Sequence, residues 1–192
     1  MSLEFNRRSF LKYSAAAAVA VAGSSLLTGC GEDEYQKTGK IGSTLKLMGT
    51  FRMYDNPAPT FALDVGSTTN GTFTCKLNIK CTTKKVPLYV AAGCFQLTVI
   101  HDGTKTNYAD SGYVTVDKPN FKLAEKDDAE DFTITVKGNT SNPLNIVAGD
   151  KVEFMYWPRI QASSGNSGYT RAFCTWKMVA KDGGTSGGIV LE

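Results

Sequence analysis

The chain has 192 residues, 42% of them hydrophobic, 20% charged and 10% aromatic, with 21 Lys and Arg against 18 Asp and Glu. That composition belongs to a globular chain, not a disordered or fibrous one, and the length fits one domain plus a processed segment. The single histidine, His101, excludes every intrachain site that needs two imidazoles: blue copper, bis-His haem and His-rich zinc.

Residues 1–29 differ in kind from the rest. Arg7, Arg8 and Lys12 form a positive head, and a mostly apolar run of 13 residues follows from Ala15 to Leu27. A helix crossing the hydrocarbon core needs about 20 residues, so the run is too short to span and suits a signal-peptide core. Asn6-Arg7-Arg8-Ser9-Phe10-Leu11-Lys12 resembles the twin-arginine export signal, S/T-R-R-x-F-L-K, with Asn6 in place of Ser or Thr. Arg7, Arg8, Phe10 and Leu11 carry the likeness. Leu27-Thr28-Gly29-Cys30 resembles a bacterial lipobox. Small residues there leave the backbone open to a peptidase, and the thiol accepts a diacylglyceryl group.

The two resemblances imply cleavage after Gly29, lipidation of Cys30 and a position on the outer face of a bacterial membrane. Two or three acyl chains, at about 0.8 kcal/mol per buried CH₂, anchor stably where one does not. Loss of the leader removes Arg7, Arg8, Lys12 and Glu4, leaving 18 basic against 17 acidic side chains, net +1. The clustered positive charge of a nucleic-acid partner is then missing.

Residues 30–43 read as the lipidated Cys and a polar, Gly-containing tether. Its 13 residues after Cys30 reach roughly 45 Å when extended. Beyond it, period two dominates. Leu45, Leu47, Phe51 and Met53 alternate with Lys46 and Arg52. Phe73, Cys75, Leu77, Ile79 and Cys81 alternate with Thr74, Lys76, Asn78 and Lys80. The latter set is a strand with one apolar and one polar face. Phe95, Leu97 and Val99 precede an Asp102-Gly103 turn pair. Further runs lie at 113–116, 132–136, 152–156 and 172–179. Ile146–Val152 reads as a short strand, a Gly-Asp turn and the start of the next strand. Leu123–Asp131 is the best helical stretch, but it is short and charged and makes at most a turn or two. About eight short strands separated by turn signals predict an all-β fold over 44–182, an antiparallel sandwich or barrel. A Gly-rich tail would fill 183–192.

The run Thr72–Thr82, the pair Phe95 and Leu97, Asp102-Gly103 and Tyr108 resemble bacterial telokin-like, immunoglobulin-like lipoprotein domains, as does Gly149-Asp150 before a later strand. The resemblance implies an antiparallel immunoglobulin-like β-sandwich of about seven to nine strands and an extracytoplasmic setting, and it transfers no catalytic residue.

With Cys30 assigned to lipid, Cys75, Cys81, Cys94 and Cys174 remain, an even number in an exported domain. Cys75 and Cys81 lie about 20 Å apart along one strand, beyond the 4.4–6.8 Å that a disulfide allows. Two connectivities survive. The favoured one is Cys81–Cys94, closing consecutive strands, with Cys75–Cys174 across the core, each adding about 2–4 kcal/mol. Four buried thiols are the alternative. No metal or other cofactor is expected: the cysteines lack C-x₂-C spacing, and Glu125, Asp127, Asp128, Glu130 and Asp131 lack a calcium-loop pattern.

His101 reads as a solvated residue beside a turn, and no G-x-S-x-G accompanies it. Trp157, Gln161 and Tyr169 flank a Gly/Ser-rich loop that offers a candidate interaction surface for a protein or glycan partner. The favoured reading nonetheless puts Tyr156 in the core and Trp157 at a strand end before Pro158, with the surface as the alternative. The sequence thus predicts a membrane-anchored extracytoplasmic lipoprotein, a non-enzymatic binding module. An accessory subunit of an exported redox or transport complex is the second expectation.

Overall fold

The structure is a computed structural model, and it describes residues 35–47, 49–53, 59–82, 88–161, 167–169, 172–184 and 188–192. Sixteen strand segments occur among these residues. Five make one layer in the order β8 (Thr104–Ala109), β7 (Phe95–His101), β12 (Lys151–Tyr156), β15 (Phe173–Asp182) and β1 (Gln36–Lys40). The opposing layer is centred on β5 (Gly71–Cys81). β11 (Ala129–Lys137) and β9 (Val114–Val116) lie on one side of it. On the other lie β4 (Thr60–Leu63) and the hairpin of β2 (Thr44–Lys46) and β3 (Gly49–Met53). β16 (Ile189–Leu191) pairs with both β4 and the end of β15, joining the layers. A separate small sheet runs β10 (Phe121–Leu123), β6 (Leu88–Val90), β13 (Arg159–Gln161), β14 (Ser167–Tyr169).

Period-two sequence becomes period-two burial. Along β5, Phe73, Cys75, Leu77, Ile79 and Cys81 all face the core. Phe132, Ile134 and Val136 of β11 do the same from the neighbouring strand, and Cys174, Trp176, Met178 and Ala180 of β15 from the other layer. The layers meet in an aromatic cluster: Phe154 stands 5.7 Å from Phe73, 5.8 Å from Phe95 and 6.3 Å from Trp176, ring centre to ring centre. The Phe154–Phe73 contact crosses from one layer to the other, as in the all-β sandwich that alternation predicts.

Three expectations change. The strand segments outnumber the seven to nine expected, because seven of them have only three residues, too few to show a period. The stretch 44–53 divides into a hairpin, and Leu144 and Ile146 lie buried without strand structure. The domain limits of 44 and 182 are too narrow. β1 begins at Gln36 and pairs in parallel with β15, and the Trp176 indole Nε1 donates to the Ser43 carbonyl at 3.0 Å. At the other end Leu191 is buried. The QKTGK of β1 is polar, so only backbone pairing to β15 makes it a strand; no apolar alternation announces it.

The registers also define two ends of the sandwich. Cys81, Phe95, Tyr156, Phe173 and Gln36 sit at one end of the sandwich, as the registers Tyr156↔Phe95, Tyr156↔Cys174 and Gln36↔Phe173 require. Gly71, His101, Lys151 and Asp182 sit at the other.

Candidate functional site

The Gly71 end carries a cleft of about 240 Å³. One wall is the β7–β8 hairpin. Its Asp102-Gly103 turn has both residues at positive φ, 46° and 81°, the geometry of tight hairpins that twist with their strands. The turn fixes His101 at the rim. The second wall is the irregular segment Asn139–Asp150. Asn139 Oδ1 accepts from the backbone N–H groups of Ser141 and Asn142, at 3.0 and 2.8 Å. Asn70 Oδ1 accepts from Leu144 N–H at 3.0 Å, and Leu144 C=O accepts from Gly71 N–H at 2.8 Å. Gly138 is needed where the segment leaves β11: a Cβ there would come within 2.0 Å of Leu144 N. The Tyr108 hydroxyl closes the wall by donating to the Pro143 carbonyl at 2.7 Å. Burial raises the Tyr108 hydroxyl pKa, with Tyr113, edge-on at 5.6 Å, adding to the shift.

Asp150 joins the two walls. Its side chain is 5% exposed. Oδ2 accepts from Val147 N–H at 2.9 Å, and Oδ1 lies 2.7 Å from His101 Nδ1. A short Asp–His contact puts the proton on Nδ1, leaving Nε2 toward solvent with Asp102 Oδ2 at 3.5 Å. The hydrogen bond and charge of Asp150 hold His101 above the ordinary imidazole range. Asp102 adds to this, and desolvation opposes it weakly. His101 is exposed, as expected of a turn neighbour, but it is tethered to a buried carboxylate 49 residues away. Nothing local in the sequence connects them; both merely adjoin turn pairs, Asp102-Gly103 and Gly149-Asp150. Asn142, Asn145 and Thr106 line the cleft beside Val99 and Val147, and none stood out in the sequence.

The residues singled out earlier fall elsewhere. Trp157 is not a surface aromatic. It is 6% exposed, and its backbone N–H donates to the Cys94 carbonyl at 2.7 Å, because Tyr156 and Trp157 continue into the interior before Pro158. Gln161 and Tyr169 end β13 and β14, with Gln161 opposite Ser167 and Tyr169 opposite Arg159; residues 162–166 between them lie outside the described residues. So do Arg7, Arg8, Phe10, Leu11 and Cys30.

The Cys81–Cys94 and Cys75–Cys174 bonds are not formed in this structure: Cys75, Cys81, Cys94 and Cys174 all stand as buried thiols. Cys81, Cys94 and Cys174 gather near the Tyr156 hydroxyl, whose pKa is driven well up by burial and then by these thiols. Cys75 lies six residues back along β5, its thiol raised by burial alone. Burial pushes Cys174 up to about 12. An apolar core accepts a thiol as a small hydrophobe, so an even count does not by itself enforce pairing.

Asp127, Asp128, Glu130 and Asp131 are each engaged. Asp128 accepts from the backbone N–H groups of Ala124 and Glu125, and Asp127 pairs with Lys80 at 2.9 Å. Asp131 accepts from Asn78 at 2.7 Å. The Lys118 contact holds the Glu130 carboxyl below its usual range.

The family model described as TAT (twin-arginine translocation) pathway signal sequence matches residues 4–24. No curated protein and no solved structure matches the chain. The chain therefore carries a twin-arginine signal, and it is an exported protein whose described part folds as an all-β sandwich.

Proposed function

We propose that the exported chain is a lipoprotein, anchored through Cys30, whose immunoglobulin-like domain is a non-enzymatic binding module with the His101–Asp150 cleft as its ligand site. The observation that carries the site is a buried carboxylate used to brace two walls around a polar hollow. Both Asp150 oxygens are engaged, and the Tyr108 proton is committed to Pro143. Such groups hold a shape and fix the exposed His101 imidazole at the rim of the hollow. A hollow of about 240 Å³ lies below the roughly 300–1,000 Å³ that encloses a drug-sized ligand. It suits one end of a longer ligand, and side-chain amides, a hydroxyl and an imidazole beside apolar contacts suit a neutral glycan.

Two measurements test this reading. Metabolic lipid labelling should mark the wild-type chain and vanish in Cys30→Ala; equal labelling ends the lipoprotein reading. Titration with neutral oligosaccharides should give saturable binding that Asn145→Ala weakens at least about tenfold, the loss of roughly 1.4 kcal/mol. Binding indifferent to Asn145 removes the cleft from the account. A stable redox or transport partner co-purifying from detergent-solubilised membranes would favour the accessory-subunit reading instead.

A further inference from the structure

We infer that the mature protein faces the bilayer with the Gln36 end of its sandwich and holds the His101–Asp150 cleft away from it. The inference rests on the lipidation of Cys30 proposed above, and its partner surface is the phospholipid headgroup layer. The sequence alone allowed a tether of about 45 Å, long enough for the domain to face any way. The structure shortens it. β1 is locked to β15 from Gln36 onward, and Tyr35 C=O already accepts from Phe173 N–H at 2.9 Å. Five peptide steps then separate Cys30 from Tyr35, a reach of about 18 Å at most.

The domain is longer than that reach. β15 alone has ten residues, or about 30 Å, running from the tethered end at Phe173 to Asp182 at the cleft end. β7 and β12 lie within this interval, with His101 and Asp150 level with Ala180, about 23 Å along β15 from Phe173. A tether of about 18 Å cannot double back along about 30 Å of strand, so the cleft end cannot rest on the membrane. The flanks offer little to lay the domain on its side. Their charges are interleaved as Lys177–Glu153, Lys80–Asp127 and Lys118–Glu130 pairs, and the mature net charge is +1. Anionic headgroups draw in clustered Lys and Arg. Tyr35, 48% exposed at the tethered end, is of the residue type that settles at headgroup level.

The test uses the exported, lipidated full chain in phosphatidylcholine vesicles that contain a rhodamine-headgroup acceptor lipid. A donor dye is placed by Tyr35→Cys or, separately, by Thr104→Cys at the exposed start of β8; the four native thiols are buried and stay unlabelled in the folded protein. Energy transfer should be at least about twofold greater from position 35 than from position 104, given their separation of roughly one strand length. Equal or inverted transfer overturns the inference. A third chain with about 20 Gly and Ser residues inserted after Glu32, adding a mean reach of about 25 Å, should lose the difference. If the difference persists there, the short tether is not what orients the domain, and the inference falls. Failure of the lipoprotein reading looks different: the chain then does not float with vesicles at all, and Cys30→Ala behaves as the wild type.

Discussion

At its Cys81 end the sandwich is filled with rings and thiols: Phe95 sits 5.1 Å from Tyr156 and 5.8 Å from Phe154, and Cys81, Cys94 and Cys174 crowd the same volume. At its Gly71 end it is tied by single hydrogen bonds, Asn70 to Leu144, Tyr108 to Pro143, Asp150 to His101 and Val147. The first end gains its stability from apolar area, which is non-directional and roughly additive over many contacts. The second depends on a few directed bonds that fix the shape of a hollow. An end that must only hold the layers together can be greasy and insensitive to detail. An end that presents groups to a ligand must spend its contacts on position.

The contrast predicts an ordered set of losses. Phe95→Ala, at the ring-filled end, should cost about 3–5 kcal/mol, read as a lower midpoint in guanidinium unfolding with an unchanged slope. A loss below about 1 kcal/mol would mean that this end is not the apolar anchor of the fold. Asp150→Ala, at the tied end, should cost about 1–3 kcal/mol, since Val147 N–H loses its acceptor. It should also abolish cleft binding while Phe95→Ala, refolded at low temperature, keeps it. Equal effects of the two variants on binding would erase the distinction between the ends.

The two ends were also unequally legible. Phe73, Cys75, Leu77, Ile79 and Cys81 gave away β5 and its buried face because one face against a core imposes period two. Trp176 and Tyr156 fell into the interior by the same rule. The cleft was hidden because its parts are distant in sequence and individually ordinary: Asn70, Asn139 and Asp150 are residues that any turn uses, and only the folded topology brings Asp150 to His101. β1 escaped for another reason. Its strand identity lies in backbone pairing to Phe173–Lys177, which the side chains of QKTGK do not signal. The exposed-loop alternative for Trp157 failed because a Gly/Ser-rich neighbour says nothing about the direction of the aromatic beside it.

The smallest expected effect is the most specific to the tied end. His101 is raised in the folded state, chiefly by its hydrogen bond to Asp150, whereas an unfolded histidine titrates near about 6.5. Between those two values the folded chain binds more protons than the unfolded one, so stability falls as pH rises through that window. The histidine's contribution is complete below the unfolded value and gone above the folded one. Comparison of wild type with His101→Gln should therefore show a gap in melting temperature that is widest in mild acid and closes as the solution turns alkaline. NMR titration of the single histidine should place its midpoint above the ordinary value, and Asp150→Ala should return it there. A wild-type midpoint at or below the ordinary value would show that the Asp150–His101 contact does not persist in solution. The Tyr108–Pro143 bond would then join the two walls without Asp150.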